Sequence, residues 1–570
     1  MAHTPDSEGS VNAITRRSFV GHAAAATLLS AAPSSLAAPP QPKSTFLDLL
    51  RSPDAVTAYA DLKEPLALGR SSEQWTGHGI DIATKASTTE VSIIVASPTI
   101  DLRYIHLRWS MPVDRSILTM GDAWERSYGD LGWRSLIPER VMPWYFSTFD
   151  GRAYHCYGVK TGAGSLCFWQ LDAEGVSLWL NISNGGSGVQ LRQRTLAAAT
   201  IVTRQGAGPE DGTAAVRAFC RQMGSQPPLP FTPIYGTNDW YYAYGKNSAR
   251  QILSDTEFIS SLSVKNSVRP FSVIDDGWSA GPPAYPDMAQ LANDIRARKA
   301  RPGIWIRPLI ATADTDPRLL LPSTRFGSRT TRAQDTAYDP TIPEALERAL
   351  AKVRQVSSWG YELIKHDYST YDLLGQWGFE MGADPTIEGW VLHDRTRTNA
   401  EVMLDLYTQI RKAGGPERLI IGCNTIGHLA QGLFDIQRTG DDTSGRDWER
   451  TRRTGINTLA FRLPQHQSFF IQDADCVGIS AAIPWEKNRQ WLDVLAQSGT
   501  ALFISPGEGA RTADHAALIR DAFQIVAAGG NAARPASWQQ ESTPSHWVLS
   551  ENKTRIYDWC SPEGAYPFNV

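Results

Sequence analysis

From about residue 45 to 228 the chain alternates apolar and polar positions, or runs apolar, in short segments. VSIIVAS (91–97), YIHLRWS (104–110), GSLCFWQL (164–171) and VSLWLNIS (176–183) are separated by turn residues at short spacing. Successive strand side chains point to opposite faces, so this rhythm predicts a β-sandwich. A Pro-rich stretch, QPPLPFTP (226–233), then marks a boundary. Beyond it, short apolar segments alternate with helical ones. The predicted strands cover 233–240, 270–278, 302–309, 361–369, 418–426, 435–442, 469–479 and 501–506. PEALERALAKVRQVSSW (343–359), AEVMLDLYTQI (400–410) and PWEKNRQWLDVLAQS (484–498) read as helices between them. Eight strands joined by helical crossovers predict an α/β fold, a (β/α)8 TIM barrel. HWVLSENKTRIYDWCS (546–561) reads as short strands again. The expected organisation is a leader over 1–37, an N-terminal β-sandwich over 45–228, the barrel over 231–530 and a short C-terminal β region over 531–570.

The strand ends change the picture from fold to chemistry. Almost every predicted barrel strand closes on polar or aromatic residues: Asn238 and Trp240, Asp275 and Asp276, Trp305 and Arg307, Lys365 and Asp367, Asn424, Arg438 and Asp441, Asp473 and Asp475. The C-terminal rim of such a barrel is where active sites sit. A single aspartate there is more often a helix cap or a rim ion pair, but carboxylates on four strands together point to a site.

Composition narrows the class. Of 570 residues, 42% are hydrophobic and 20% charged, and the net charge is -4, so no basic excess argues for nucleic acid or an anionic membrane. The 19 tryptophans suit either a β-rich core or flat apolar walls for sugar stacking. The six cysteines include no CxxC pair; Cys156 and Cys167 are near enough in sequence to bridge in an oxidising compartment. His366, His428 and His466 lack metal-ligand spacing, and no nucleotide or dinucleotide fingerprint appears, so no metal or organic cofactor is expected. Arg16 and Arg17 precede a short apolar run ending at Ser35-Leu36-Ala37. This resembles a twin-arginine export signal, which predicts a mature protein beginning near Ala38, outside the cytoplasm, with no membrane role beyond transient export.

Two carboxyls that converge across a barrel mouth suit glycoside hydrolysis. In a retaining enzyme one attacks the anomeric carbon and the other protonates the leaving oxygen, about 5–5.5 Å away. Asp367 and Asp441 are the candidate pair, with Asp442 an alternative to Asp441. Lys365 lies two residues before Asp367, on the same face of its strand, where a cation keeps that aspartate ionised.

These residues also resemble a known group, glycoside hydrolase clan D, the α-galactosidase-like enzymes of families 27 and 36. Gly236-Thr237-Asn238-Asp239-Trp240 is similar to the GxNxW of the first strand, Asp275-Asp276-Gly277-Trp278 to DDGW, and Lys365-His366-Asp367 to KxD. Cys423-Asn424, Arg438-Thr439-Gly440-Asp441 and Asp473-Ala474-Asp475 follow in the family's order, over roughly residues 231–510. The resemblance implies that Asp367 is the nucleophile and Asp441 the acid/base. It implies that Asp275 and Asp276 take the hydroxyls far from the anomeric carbon, and that Lys365 reaches the 3- and 4-hydroxyls. Arg438 and Asn424 then flank the 2-position, Trp240, Trp278 and Trp305 wall the pocket, and Arg307 and Asp475 complete the binding set. The chain departs from the pattern where Tyr368 and Ser369 follow Asp367, leaving Cys423 without the usual cysteine partner, and where CNTIGHLAQGLFD (423–435) replaces a Gly-rich stretch.

The expected function is therefore a retaining hydrolase of an α-linked sugar, α-galactosidase-like, with a glycoside or oligosaccharide as its partner. The same residues serve an α-N-acetylgalactosaminidase, a β-L-arabinopyranosidase, an isomaltose-releasing dextranase or a transglycosylase. A catalytically inactive carbohydrate-binding protein is the alternative from another class; it would need neither Asp367 nor Asp441.

Overall fold

The computed structural model describes residues 45–60, 64–229, 231–331, 335–507, 509, 511–550 and 553–565. The expected leader over 1–37 lies outside the described residues.

The N-terminal part is two antiparallel sheets. One has six strands, ordered Pro65–Ala67, Ala55–Tyr59, Tyr104–Ser110, Gly175–Asn181, Leu166–Asp172 and Met142–Pro143. The other has eight and runs from Gly69–Ser71 at one edge to Leu118–Gly121 at the other. The period-two pattern explains the packing: Val91, Ile93 and Val95 of Glu90–Ala96 are buried while their neighbours are half-buried. One element departs from the strand-like reading of this region. Gly212–Met223 is a helix, capped by Asp211, whose side chain accepts from the Ala214 N–H at 2.9 Å. Its Ala215, Val216, Phe219, Cys220 and Met223 fall on one buried face. Cys156 and Cys167 are separate buried thiols, not a bridge.

The barrel closes from eight parallel strands: β1 Tyr235–Asn238, β2 Phe271–Ile274, β3 Arg301–Ile306, β4 Leu363–His366, β5 Leu419–Gly422, β6 Ile436–Arg438, β7 Ile471–Ile479 and β8 Ala501–Pro506. Strand β1 pairs with β8 through Tyr235 and Leu502, which removes both sheet edges. Val273, Leu363, Ile421, Ile436 and Phe503 belong to one buried cluster of barrel-strand side chains. Helices such as Ala249–Leu262, Pro343–Ser358 and Asn399–Gly414 cover the outside. The last is closed by a capping box between Thr398 and Glu401. A three-stranded antiparallel sheet of Arg534–Pro535, His546–Val548 and Thr554–Ile556 follows, anchored by fully buried Trp547.

The sandwich and the barrel are bonded at the barrel mouth. Ser127, in the long excursion between Gly121 and Met142, bridges in parallel to Gly440 just past β6. Its N–H donates to the Thr439 carbonyl at 3.0 Å, and its carbonyl accepts from the Asp441 N–H at 2.8 Å. Nearby, Asp122 pairs with Arg462 at 2.7 Å, both side chains 5% exposed, while Gln465 donates to the other Asp122 oxygen at 2.8 Å. Removing one partner of a buried pair strands the other charge. Asp122→Ala should therefore cost about 3–5 kcal/mol and lower the thermal midpoint by several degrees in a differential scanning experiment. A midpoint unchanged from wild type would show that the sandwich–barrel seam does not depend on this pair.

Candidate active site

Strand β4 ends on Lys365, His366 and Asp367, and alternation separates them. His366 turns away from the mouth, bonds to the Ser369 hydroxyl and lies edge-on to the Tyr407 and Phe434 rings. Burial holds its imidazole near 3, and so neutral. Asp367 turns to the mouth and is 9% exposed. Its Oδ1 accepts the backbone N–H groups of Tyr368 at 2.8 Å and Asn424 at 3.1 Å, and its Oδ2 accepts the Trp305 indole N–H at 3.0 Å. Burial opposes ionisation there, but the charges of Arg126 and Lys365 and the indole bond outweigh it and hold the carboxyl below its ordinary range. Asp367 is thus an anion fixed in direction, the state a nucleophile needs.

Lys365 donates to Asp275 Oδ2 at 2.7 Å, and Asn238 donates to the same oxygen at 2.6 Å. Burial would lower the lysine, yet the Asp275 charge raises it well above its usual value, so it stays a cation. Asp276 is half-buried; burial and the charges of Asp275 and Asp367 raise its carboxyl. Gly277, at φ 119°, makes the turn after this pair; a Cβ there would fall 2.4 Å from the Asn247 amide oxygen. Behind them Asp239 accepts from the Asp275 N–H, and burial with the neighbouring Asp275 charge lifts it to about 7.

On β6, Arg438 is fully buried and pairs with Asp475 at 2.9 Å and Asp442 at 3.2 Å. The two adjacent aspartates differ in their surroundings. Asp441 is engaged through both oxygens, Arg126 on Oδ1 at 2.9 Å and Arg450 on Oδ2 at 2.7 Å. Asp442 meets Arg438 and Arg126 through Oδ1, and its side chain keeps 37% exposure. Burial would raise Asp442, but Arg126, Arg438, Lys365 and Arg450 hold it down to about 2. The Asp442 charge in turn acts on Asp367, so these two carboxyls share one field.

The sequence-derived candidates divide into those around Asp367 and those behind them. Trp305 and Asn424 bond Asp367 directly, and Lys365 and Asp275 form an adjoining pair. Trp278 donates its indole N–H to the Trp305 carbonyl at 2.8 Å and so fixes the wall rather than the nucleophile. Trp240 is half-buried beside Tyr244. Asp475 lies beneath the mouth, taking Arg438, the Tyr241 hydroxyl and the Thr443 N–H, and so orients the arginine. Arg307 stands at its strand end, but its fork is taken by Asp372 at 3.1 and 2.6 Å. Among the described residues, no group of three or more His, Cys, Asp or Glu could hold a metal ion.

Sequence reasoning missed the part of the site that the sandwich supplies. Glu125 is fully buried. Its carboxylate accepts the Asn424 side-chain amide, the Gly378 N–H at 2.8 Å and the Tyr128 hydroxyl. The Tyr371 N–H, 3.0 Å from Asn424 Oδ1, fixes which end of that amide faces Glu125. Arg126 follows and meets Asp441 and Asp442. The signal was faint: Glu125-Arg126 is a charged pair inside a Trp- and Gly-rich stretch between strands.

No family profile matches the chain, and no curated protein matches it in sequence. Solved structures match in fold. An α-galactosidase from Thermus thermophilus in complex with p-nitrophenyl α-D-galactopyranoside is 16% identical, with a TM-score of 0.56 over 88% of this chain and 99% of that one. The family 36 α-galactosidase AgaA from Geobacillus stearothermophilus is 10% identical, TM-score 0.53, over 84% and 73%. The cycloalternan-forming enzyme from Listeria monocytogenes, in complex with a pentasaccharide substrate, is 10% identical, TM-score 0.52, over 89% and 57%. These likenesses establish the shared fold: a glycoside-hydrolase barrel with accompanying β-sheets.

Burial is the largest influence on Glu125 and raises its carboxyl from 4.5 to about 7. A raised carboxyl contributes fully below the pH at which an exposed glutamate ionises, and that contribution is lost as pH climbs through about 7. Glu125→Gln removes the ionisation. The stability of wild type relative to this variant should therefore fall between pH 4.5 and pH 7 and level off above, followed by urea denaturation across that range. A pH-independent difference would show that Glu125 does not titrate in this window.

Proposed function

We propose that the protein is a retaining glycoside hydrolase acting on an α-linked sugar, with Asp367 as nucleophile. The observation that carries this is Asp367 itself: a buried carboxylate at the C-terminal end of a barrel strand, held anionic and aimed by three N–H donors. A glycosidase-like fold among the structural neighbours supports the class. The sugar preference we favour is α-galactosidase-like, on the strand-end motifs.

For the second carboxyl the geometry favours Asp442 over Asp441. A general acid needs an oxygen that can reach the leaving group. Asp441 has an arginine on each oxygen, while Asp442 is partly open and interacts electrostatically with Asp367. In the first step Asp367 attacks the anomeric carbon and the glycosidic C–O bond breaks as Asp442 delivers its proton to the departing oxygen. In the second step Asp442 takes a proton from water, whose oxygen attacks the same carbon and releases Asp367. Two inversions give net retention. Arg438, held by Asp475, and Asn424, held by Glu125, flank the 2-position in this reading. We further propose export by the twin-arginine route, on the strength of Arg16-Arg17 and the apolar run after them.

Kinetics on matched substrates test both assignments. Asp367→Ala should lose about 10⁴-fold or more in kcat, and azide should restore turnover with formation of a β-glycosyl azide. Asp442→Ala should lose about 10²–10⁴-fold on an oligosaccharide and far less on a p-nitrophenyl glycoside, whose leaving group departs without a proton. If Asp441→Ala shows that substrate dependence instead, the acid is Asp441. An active Asp367→Ala enzyme would remove the mechanism.

A further inference from the structure

A cavity of about 450 Å³ adjoins the site on the β2–β4 side of the mouth. Asp276, Trp278, Trp305, Tyr368, Lys352 and Gln355 shape it. A second hollow, of about 400 Å³, lies beside Asp441 and Arg450, with Tyr128 and the 65% exposed Phe379 in its wall. In an eight-stranded barrel β2 and β6 face each other, so the two hollows flank Asp367 from opposite sides.

That arrangement assigns directions to a bound substrate. The group that protonates the leaving oxygen is on the β6 side, so the departing part of the substrate lies toward Tyr128 and Phe379. Asp275 and Asp276, taken as the partners of hydroxyls far from the anomeric carbon, lie on the other side. One sugar seated against Asp367 would fill the space between. The 450 Å³ cavity begins beyond that sugar, at Asp276 and Trp305. Both residues belong to both spaces: the Trp305 indole bonds Asp367, and the Asp276 carboxyl responds to the Asp367 charge.

We propose that this cavity seats a second sugar unit, joined through a hydroxyl at the non-anomeric end of the sugar held by Asp367, so that the enzyme releases a disaccharide from its substrate. The inference rests on the glycosidase reading above and names its substrate class. The volume is within the ~300–1,000 Å³ range of small-ligand sites. Three aromatic side chains supply apolar surface, and Asp276, Lys352 and Gln355 supply both acceptors and donors for hydroxyls. The charges do not call for an ionic ligand. Arg307 is neutralised by Asp372. The Lys352 ammonium donates to the Pro308 carbonyl at 3.3 Å and to the Ile310 carbonyl, and burial with the Arg307 charge lowers it to about 8. A neutral hexose fits this lining. Binding energy from this remote unit can be drawn upon in the transition state, so the extra sugar raises turnover as well as affinity.

The test uses the full-length enzyme and p-nitrophenyl α-glycosides of galactose and of glucose, each plain and each extended by a second α-linked hexose on its primary hydroxyl. The inference expects one extended substrate to be cleaved in a single event, with disaccharide detected by mass spectrometry and kcat/KM about ten-fold or more above its plain partner. Gln355→Trp, on the helix face bordering the cavity, should cut that extended-to-plain ratio by about ten-fold; the ratio is insensitive to how much of the variant folds. Release of the outer monosaccharide first, a ratio at or below one, or a ratio unmoved by Gln355→Trp overturns the second seat while leaving the glycosidase reading in place. Cleavage of neither member of either pair removes the glycosidase reading, and this inference with it.

Discussion

Buried charge is tolerated only where it is paired, and the mouth of this barrel is organised by that constraint. Asp275 answers Lys365; Arg438 answers Asp475 and Asp442; Arg126 answers Asp441 and Asp442; Arg450 answers Asp441. Four cations and the surrounding carboxylates alternate across the strand ends, so no single group is left alone in a low-dielectric pocket. Asp367 is the exception in kind. Its charge is met by N–H dipoles rather than by direct contact with a cation, while Lys365 and Arg126 act on it through the field. Such a carboxylate is stable yet not covered by a salt bridge that a substrate would have to displace.

The same pairing explains why neighbours in sequence take different parts. Asp441 and Asp442 are adjacent, but the backbone of Asp441 is tied to Ser127, which turns its side chain toward Arg126 and Arg450. Asp442 is left on the Arg438 side. On β7, Asp475 sits at φ 74°, within the stretch where the β7–β8 pairing shifts register. That break in alternation lets Asp475 reach beneath Arg438 while Asp473 stays on the strand; burial lifts Asp473 to about 6 even though Arg438 opposes it.

Much of this architecture was legible in the chain because periodicity is local information. All eight barrel strands lie within the segments read from alternating apolar runs and helical stretches, and Lys365 and Asp367 share a face by simple parity. What was not legible depended on distant partners. Arg307 sits at a strand end like the others, and only the position of Asp372 reveals that its guanidinium is occupied. Glu125 and Arg126 carried no periodic signal, since their meaning lies in contacts to Asn424 and Asp442, 299 and 316 residues away. The helix Gly212–Met223 was lost inside a strand-rich region, although its buried positions follow helical spacing.

The Ser127 bridge has a consequence for when the molecule becomes competent. Synthesis delivers the sandwich first, and β6 emerges some three hundred residues later. Until then the excursion carrying Glu125, Arg126 and Tyr128 has no edge to bind, and Asp367 lacks one of the cations that hold it ionised. A barrel that has closed without its N-terminal companion would have its carboxylates in place and their electrostatics wrong. Completion of the two-layer assembly therefore acts as a checkpoint on maturation: the last long-range junction to form is also the one that arms the chemistry.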